Sequence, residues 1–161
     1  MDAISFGTDG WRARLGTFTD ERVRIVGRAV AAHLAAEGER GEVVVGYDAR
    51  ETSEGFAESL AEELSAAGFD AILPERDRPT PVAAWSVVDR GARGALMLTA
   101  SHNPADYNGV KFIPDDGAPA LPEVTDDVVA RLGEDPPAPD EPGSIERVDL
   151  FTPYLDHAAS V

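Results

Sequence analysis

Apolar positions in the first two-thirds of the chain switch repeatedly between a helical period and short continuous runs. After Thr19 and Asp20, the residues Val23, Val26, Val30 and Leu34 fall on one stripe at spacings of three and four, and Gly38 ends it. That pattern predicts an amphipathic helix. Val43-Val44-Val45 then predicts a short buried strand. Ser53 is placed to cap a second helix through Phe56, Leu60 and Leu64, closed by Gly68, and the run Phe69 to Leu73 predicts a second strand. Pro79-Thr80-Pro81 opens a third helix through Val82, Trp85 and Val88 that stops near Gly91, before a strand over Ala95 to Thr99.

Continuous apolar strands alternating with helices imply an α/β fold, a largely parallel sheet covered on both faces in three layers, α/β/α. In such sheets ligands collect beyond the carboxyl ends of the strands, which directs attention to the loops after Tyr47 and after Leu98. Downstream, Asn108-Gly109 suits a tight turn ahead of an edge strand over Val110 to Ile113, and Val124 to Leu132 predicts a short helix. The Pro- and acid-rich stretch Glu134 to Gly143 reads as a mobile linker. These boundaries divide the chain into a domain over 1–133 and, over 134–161, a linker with the start of a connection leading elsewhere.

Composition narrows the function classes. Fourteen basic against thirty acidic residues give a formal charge of −16, which repels phosphate backbones and argues against nucleic-acid binding. There is no cysteine, so disulfides, thiolate metal sites and cysteine nucleophiles are excluded. No apolar run approaches the roughly 18–20 residues of a membrane span, and the opening Met1-Asp2-Ala3-Ile4 lacks the character of a secretory signal, so a soluble cytoplasmic protein is expected. Such acidity with almost no lysine is the pattern of proteins from salt-loving organisms, and a high-GC genome would equally favour Arg and Ala.

The strongest chemical signal is Thr99-Ala100-Ser101-His102-Asn103-Pro104, small and hydrogen-bonding residues directly after a buried strand. A serine there can be a nucleophile or a phosphoryl carrier, with His102 and Asn103 as donors to an anion, or the segment can be a polar turn capping a helix. A hydrolase elbow of the Gly-x-Ser-x-Gly type is absent. Thirteen of the fourteen basic residues are arginine, and the only lysine is Lys111. Lysine can lose its proton when desolvated, so Lys111 suits acid or base work; the bland alternative is a solvated lysine that blunts an edge strand. Phe6-Gly7-Thr8-Asp9-Gly10-Trp11-Arg12 joins two glycines to an arginine fork, as an anion site would. Asp48 and Arg50 sit at another strand end, where a loop-holding ion pair and a ligand contact are equally open. His33 and His157 carry no role, and Trp11 and Trp85 are read as packing residues.

Taken together, these segments resemble the first domain of the α-D-phosphohexomutases. The carrying pieces are Phe6 to Arg12, Val45-Gly46-Tyr47-Asp48-Ala49-Arg50, Arg78-Pro79-Thr80-Pro81, Thr99 to Pro104 and Tyr107-Asn108-Gly109-Val110-Lys111, in the family's order. The resemblance implies a mixed, mostly parallel sheet and a phosphoserine at Ser101 that exchanges its phosphoryl group with a hexose phosphate through a bisphosphate intermediate. It implies proton transfer and charge stabilisation by Lys111 and Arg12, orientation of the phosphoserine by His102, and substrate contacts from Asn103 and Arg50. Phosphorylated Ser101 would be one ligand of a Mg2+ ion, the others being aspartates of an Asp-Gly-Asp-x-Asp-Arg loop in a second domain that this sequence does not contain. Asp115-Asp116-Gly117 has the wrong order for that loop and is expected to be a solvated turn. The Gly-Trp-Arg-Ala form looks more like the phosphoglucomutase and phosphomannomutase branch than the glucosamine one.

The expected function is therefore the first domain of an enzyme moving phosphate between C1 and C6, inactive without domains II–IV. The alternative is a free-standing, non-catalytic domain that binds a protein partner or phosphorylated ligand. An isolated domain would also expose surface its neighbours cover, so self-association is expected.

Overall fold

The computed structural model describes residues 4–7 and 10–161; Thr8 and Asp9 of the opening motif, and Met1 to Ala3, lie outside the described residues. The described residues form six strands: β1 (Gly10–Arg14), β2 (Glu42–Tyr47), β3 (Asp70–Pro74), β4 (Gly94–Leu98), β5 (Tyr107–Pro114) and β6 (Ile145–Val148). Five helices accompany them: α1 (Asp20–Glu37), α2 (Ser53–Ala66), α3 (Thr80–Arg90), α4 (Pro122–Ala130) and α5 (Phe151–Ala159). The sheet order is β1-β5-β4-β2-β3-β6. Strands β4, β2, β3 and β6 are mutually parallel, and β5 runs against both β4 and β1.

Period-two alternation divides the core into two layers. Val43, Val45, Leu96, Leu98, Val110 and Phe112 face α1, α2 and α4, whereas Val44, Ile72, Ala95, Met97 and Ile113 face α3 and α5. The expected α/β/α sandwich is the observed one. Thr19 caps α1 by accepting the Arg22 N–H at 3.3 Å, and the Gly91 cap of α3 is left-handed. Trp11 is buried and stacks on Phe18 at 4.4 Å, as a packing residue. No described helix is long and apolar enough to cross a membrane.

Three local expectations change. Asn108-Gly109 is not a turn but part of β5, and β5 is not an edge strand, because β1 pairs with it on the outer side. The pattern that hides β1 is its brevity: Trp11 alone faces inward fully, between Gly10 and Arg12. Ser53 is the first residue of α2 and not its cap; its hydroxyl instead donates to Asp48 Oδ1 at 2.6 Å. Residues 134–143 lack regular structure but are tied down, with the Arg40 guanidinium donating to the Pro137 carbonyl and the Ser65 hydroxyl to the Gly143 carbonyl. The chain then returns to the sheet, where β6 pairs with β3 and α5 packs on α3. Acid- and proline-rich composition signals weak burial, not detachment, and Ile145 and Val148 were too few to announce a strand.

Candidate active site

The carboxyl ends of the parallel strands converge on one rim of the sheet. The loop leaving β4 there is rooted by backbone bonds: the Asp48 N–H donates to the Leu98 carbonyl, the Thr99 N–H to the Gly109 carbonyl, and the Asn103 N–H to the Ala100 carbonyl. Ser101 stands exposed at its tip with φ of 53°, the one non-glycine residue among the described residues with positive φ. That conformation costs an L-residue on the order of 1–2 kcal/mol, so surrounding contacts must impose it. One is the Ser101 N–H, which donates to Thr99 Oγ1 at 3.0 Å. His102 is exposed beside it, and Asn103 is half-buried, bracing the loop through its main chain.

Strand register brings Arg12 and Lys111 to the same face. Arg12 lies opposite Gly109, and Gly10 opposite Lys111, so the two basic side chains occupy neighbouring diagonal positions. Lys111 also lies opposite Met97 and shares its face with Gly109 and Ile113. It is half-buried on an internal strand, which removes the reading of a lysine that blunts an edge. The glycine between them is required: a Cβ on Gly109 would stand 2.6 Å from the Thr99 carbonyl oxygen and 2.8 Å from Arg12 Cγ. The level of the sheet that carries Arg12 and Gly109 is thus also the level from which the serine loop departs.

Arg50 is placed differently from the expected substrate contact. Its guanidinium donates to the carbonyls of Ser101, Asn103, Pro104 and Tyr107 at 2.7–3.1 Å, and its Nε to Asp48 Oδ2 at 3.3 Å. All three guanidinium nitrogens are spent inside the protein, which leaves Arg50 gripping the serine loop, not a ligand. Behind it, Asp48 Oδ1 accepts from Ser53 and from the Arg50 N–H, and Asn108 Nδ2 donates to Thr52 and Ser53 hydroxyls. The fully buried Asn108 was missed by sequence reasoning because Asn-Gly signals a turn far more often than a strand polar anchor. On the same rim, Arg147 donates to the Tyr47 hydroxyl at 2.7 Å, and burial raises the Tyr47 phenol, keeping it protonated.

Among the described residues no group of three acidic or imidazole side chains is gathered as a metal site. Asp48, the carboxylate nearest in the network, is occupied by Ser53 and Arg50. Asp115 and Asp116 form the expected exposed turn with Gly117 at the far end of β5, away from the serine loop.

Comparison with known proteins matches residues 3–137 to the model for "phosphoglucomutase/phosphomannomutase, alpha/beta/alpha domain I". A phosphoglucosamine mutase of Paenarthrobacter aurescens is 37% identical over 160 residues, covering 94% of this chain and 35% of that protein. A phosphoglucomutase of Staphylococcus saprophyticus is 33% identical over 161 residues, covering 96% and 28%. Both branches are therefore represented at similar identity, and the short Gly-Trp-Arg-Ala string does not separate them. Among solved structures, a phosphoglucomutase/phosphomannomutase family protein from Burkholderia thailandensis superposes with a TM-score of 0.84 at 26% identity, covering 99% of this chain and 36% of that one. The chain spans about a third of the length of these relatives. The chain therefore belongs to the phosphoglucomutase/phosphomannomutase family and carries its α/β/α domain I.

Proposed function

We propose that this chain supplies the phosphoryl-carrying half of a hexose-phosphate mutase site, with Ser101 as the carrier. The observation that carries the reading is Ser101 itself, exposed and held left-handed at the end of a buried strand, on the rim where Arg12 and Lys111 share a face. In the forward step a sugar hydroxyl oxygen bonds to phosphorus while the Ser101 Oγ–P bond breaks, giving a sugar bisphosphate. The hydroxyl proton must leave and Ser101 must regain one, and Lys111 is the group on this chain suited to that exchange. When the other phosphoryl group returns to Ser101, the sugar's phosphate has moved between C1 and C6. Arg12 stays protonated throughout and offsets charge on the transferring group.

On this chain a Mg2+ ion would be held by the phosphate of Ser101, and its contribution is to neutralise the oxygens of the transferring group. The carboxylates that complete its shell come from beyond the described residues. A hexose phosphate is the substrate class, and the remaining length of the relatives is where sugar selection and the second phosphate grip reside. The isolated 161-residue chain is then inactive on its own.

The test joins this chain to the remainder of a homologous full-length mutase and supplies glucose 1,6-bisphosphate with magnesium. One phosphoryl group should be gained at Ser101, read as a single added phosphate by mass spectrometry, and Ser101→Ala should lower turnover by at least about 10³-fold. Full mutase activity in that variant would end the assignment.

A further inference from the structure

We propose that Arg50 is a positioning residue: its grip on the serine loop holds Ser101 left-handed and turns the His102 N–H outward as a donor to the phosphoryl group. The inference rests on Ser101 being the carrier, but its structural half stands apart from catalysis. Four carbonyls, those of Ser101, Asn103, Pro104 and Tyr107, converge on one guanidinium. Carbonyl dipoles brought together repel one another, and the guanidinium offsets that repulsion with charge-assisted hydrogen bonds, which favours the loop path that reaches the fork. There are no cis peptide bonds among the described residues. In a planar trans peptide the carbonyl and the following N–H point in opposite directions. With the Ser101 carbonyl drawn to Arg50, the His102 N–H must point away from it, and the same holds for Ala105 behind the Pro104 carbonyl. The His102 and Ala105 N–H groups are thus turned away from Arg50 because the carbonyls before them are held by it.

The fork is itself aimed. Asp48 receives Arg50 Nε on one oxygen and the Ser53 hydroxyl on the other, and Ser53 is in turn held by buried Asn108, the neighbour of Gly109. This relay joins the serine loop to the N-terminus of α2 and to the strand that bears Lys111. Lysine cannot replace the fork, since a single ammonium has three donors at one point and cannot span four acceptors and a carboxylate.

The experiment uses the 161-residue chain with phosphoserine installed at position 101, as wild type, Arg50→Lys and Asp48→Asn. NMR shifts and scalar couplings report the φ of residue 101, the His102 amide shift reports its hydrogen bond, and 31P titration reports the phosphate's second pKa. In the wild-type protein the His102 amide should move downfield on phosphorylation and the phosphate should titrate below about 6, the value of a solvated phosphomonoester. Arg50→Lys, at unchanged formal charge, should abolish the downfield shift, return residue 101 to negative φ, and raise the phosphate pKa toward about 6. Asp48→Asn should shift all three in the same direction by less, and it provides the reading should Arg50→Lys fail to fold. Adding guanidinium ion to a folded Arg50→Ala protein should partly restore the His102 shift. Identical φ, amide shift and titration in wild type and a folded variant would overturn the proposal. A response to Arg50 in a protein whose Ser101 never accepts phosphate from a bisphosphate would instead leave the positioning intact and defeat the carrier reading.

Discussion

A methyl group added at Gly109 would meet the Thr99 carbonyl at 2.6 Å and the Trp11 carbonyl at 2.9 Å, both rigid backbone, as well as the stem of Arg12. Neither strand can retreat without breaking the pairing of Arg12 with Gly109 or the bond from the Thr99 N–H. Gly109→Ala should therefore cost ~2–3 kcal/mol in a urea melt, and in the complete enzyme should lower kcat more than KM, because Arg12 is displaced. Unchanged stability would mean that β1 is not seated as described. The placement of Ser101, Lys111 and Arg12 near one another could be anticipated, through their motifs and through the isolation of one lysine among arginines. The job of Arg50 was not, since nothing in Asp48-Ala49-Arg50 says that four carbonyls from a loop some fifty positions away will converge on it. Asn108 was hidden for the same reason: a buried polar side chain is explained only by partners that the chain brings from elsewhere.

Among elements, α1, α2 and α3 were visible because their apolar stripes repeat over several turns, and β2, β3 and β4 because they are buried on both faces. The two peripheral strands were not. β1 is short and half-exposed, and β6 is exposed along most of its length, so neither carries a hydrophobic signature strong enough to stand out. Helix α4 is held to α1 by a polar clasp: His33 Nδ1 lies 2.7 Å from Asp127 Oδ2, which also accepts from Arg131. His33 first, and then Arg131, hold the Asp127 carboxyl below the usual carboxylate range. A depressed carboxylate stabilises the fold above the unfolded value of about 3.9 and loses that contribution as pH falls through the lower folded value. Melting temperatures followed downward from about pH 6 should therefore fall more steeply below about pH 4 in the wild-type protein than in Asp127→Asn. The difference should be small, because the Asp127 side chain is 40% exposed. Parallel curves would show that the clasp contributes nothing measurable.

For the molecule as a whole, a charge of −16 on 161 residues sets self-repulsion against many local ion pairs. Arg24 alone meets Asp20, Glu62 and Glu63, and Arg28 adds a second contact to Glu63, stitching α1 to α2. These pairs lie at the surface, where each is worth little, whereas the net excess of acid acts on every part of the chain. Raising NaCl from about 0.01 M to about 1 M shortens the screening length from about 30 Å to about 3 Å and should raise the melting temperature. A fall in melting temperature over that range would place the ion pairs above the repulsion.

The reversal at β5 has a consequence for how three groups reach one rim. A strand continuing parallel to β4 would need a crossover of a dozen or more residues and would begin at the opposite edge of the sheet. Running backwards, β5 begins near where β4 stops, so the serine loop and the lysine strand belong to a single hairpin joined through residues 99–106, with no intervening helix. The outermost strand, β1, then aligns with β4 again and delivers Arg12 to the same latitude. One change of direction turns a fold whose strands would otherwise supply isolated loops into a contiguous three-stranded platform that carries Ser101, Lys111 and Arg12 on adjacent strands and their connecting loop.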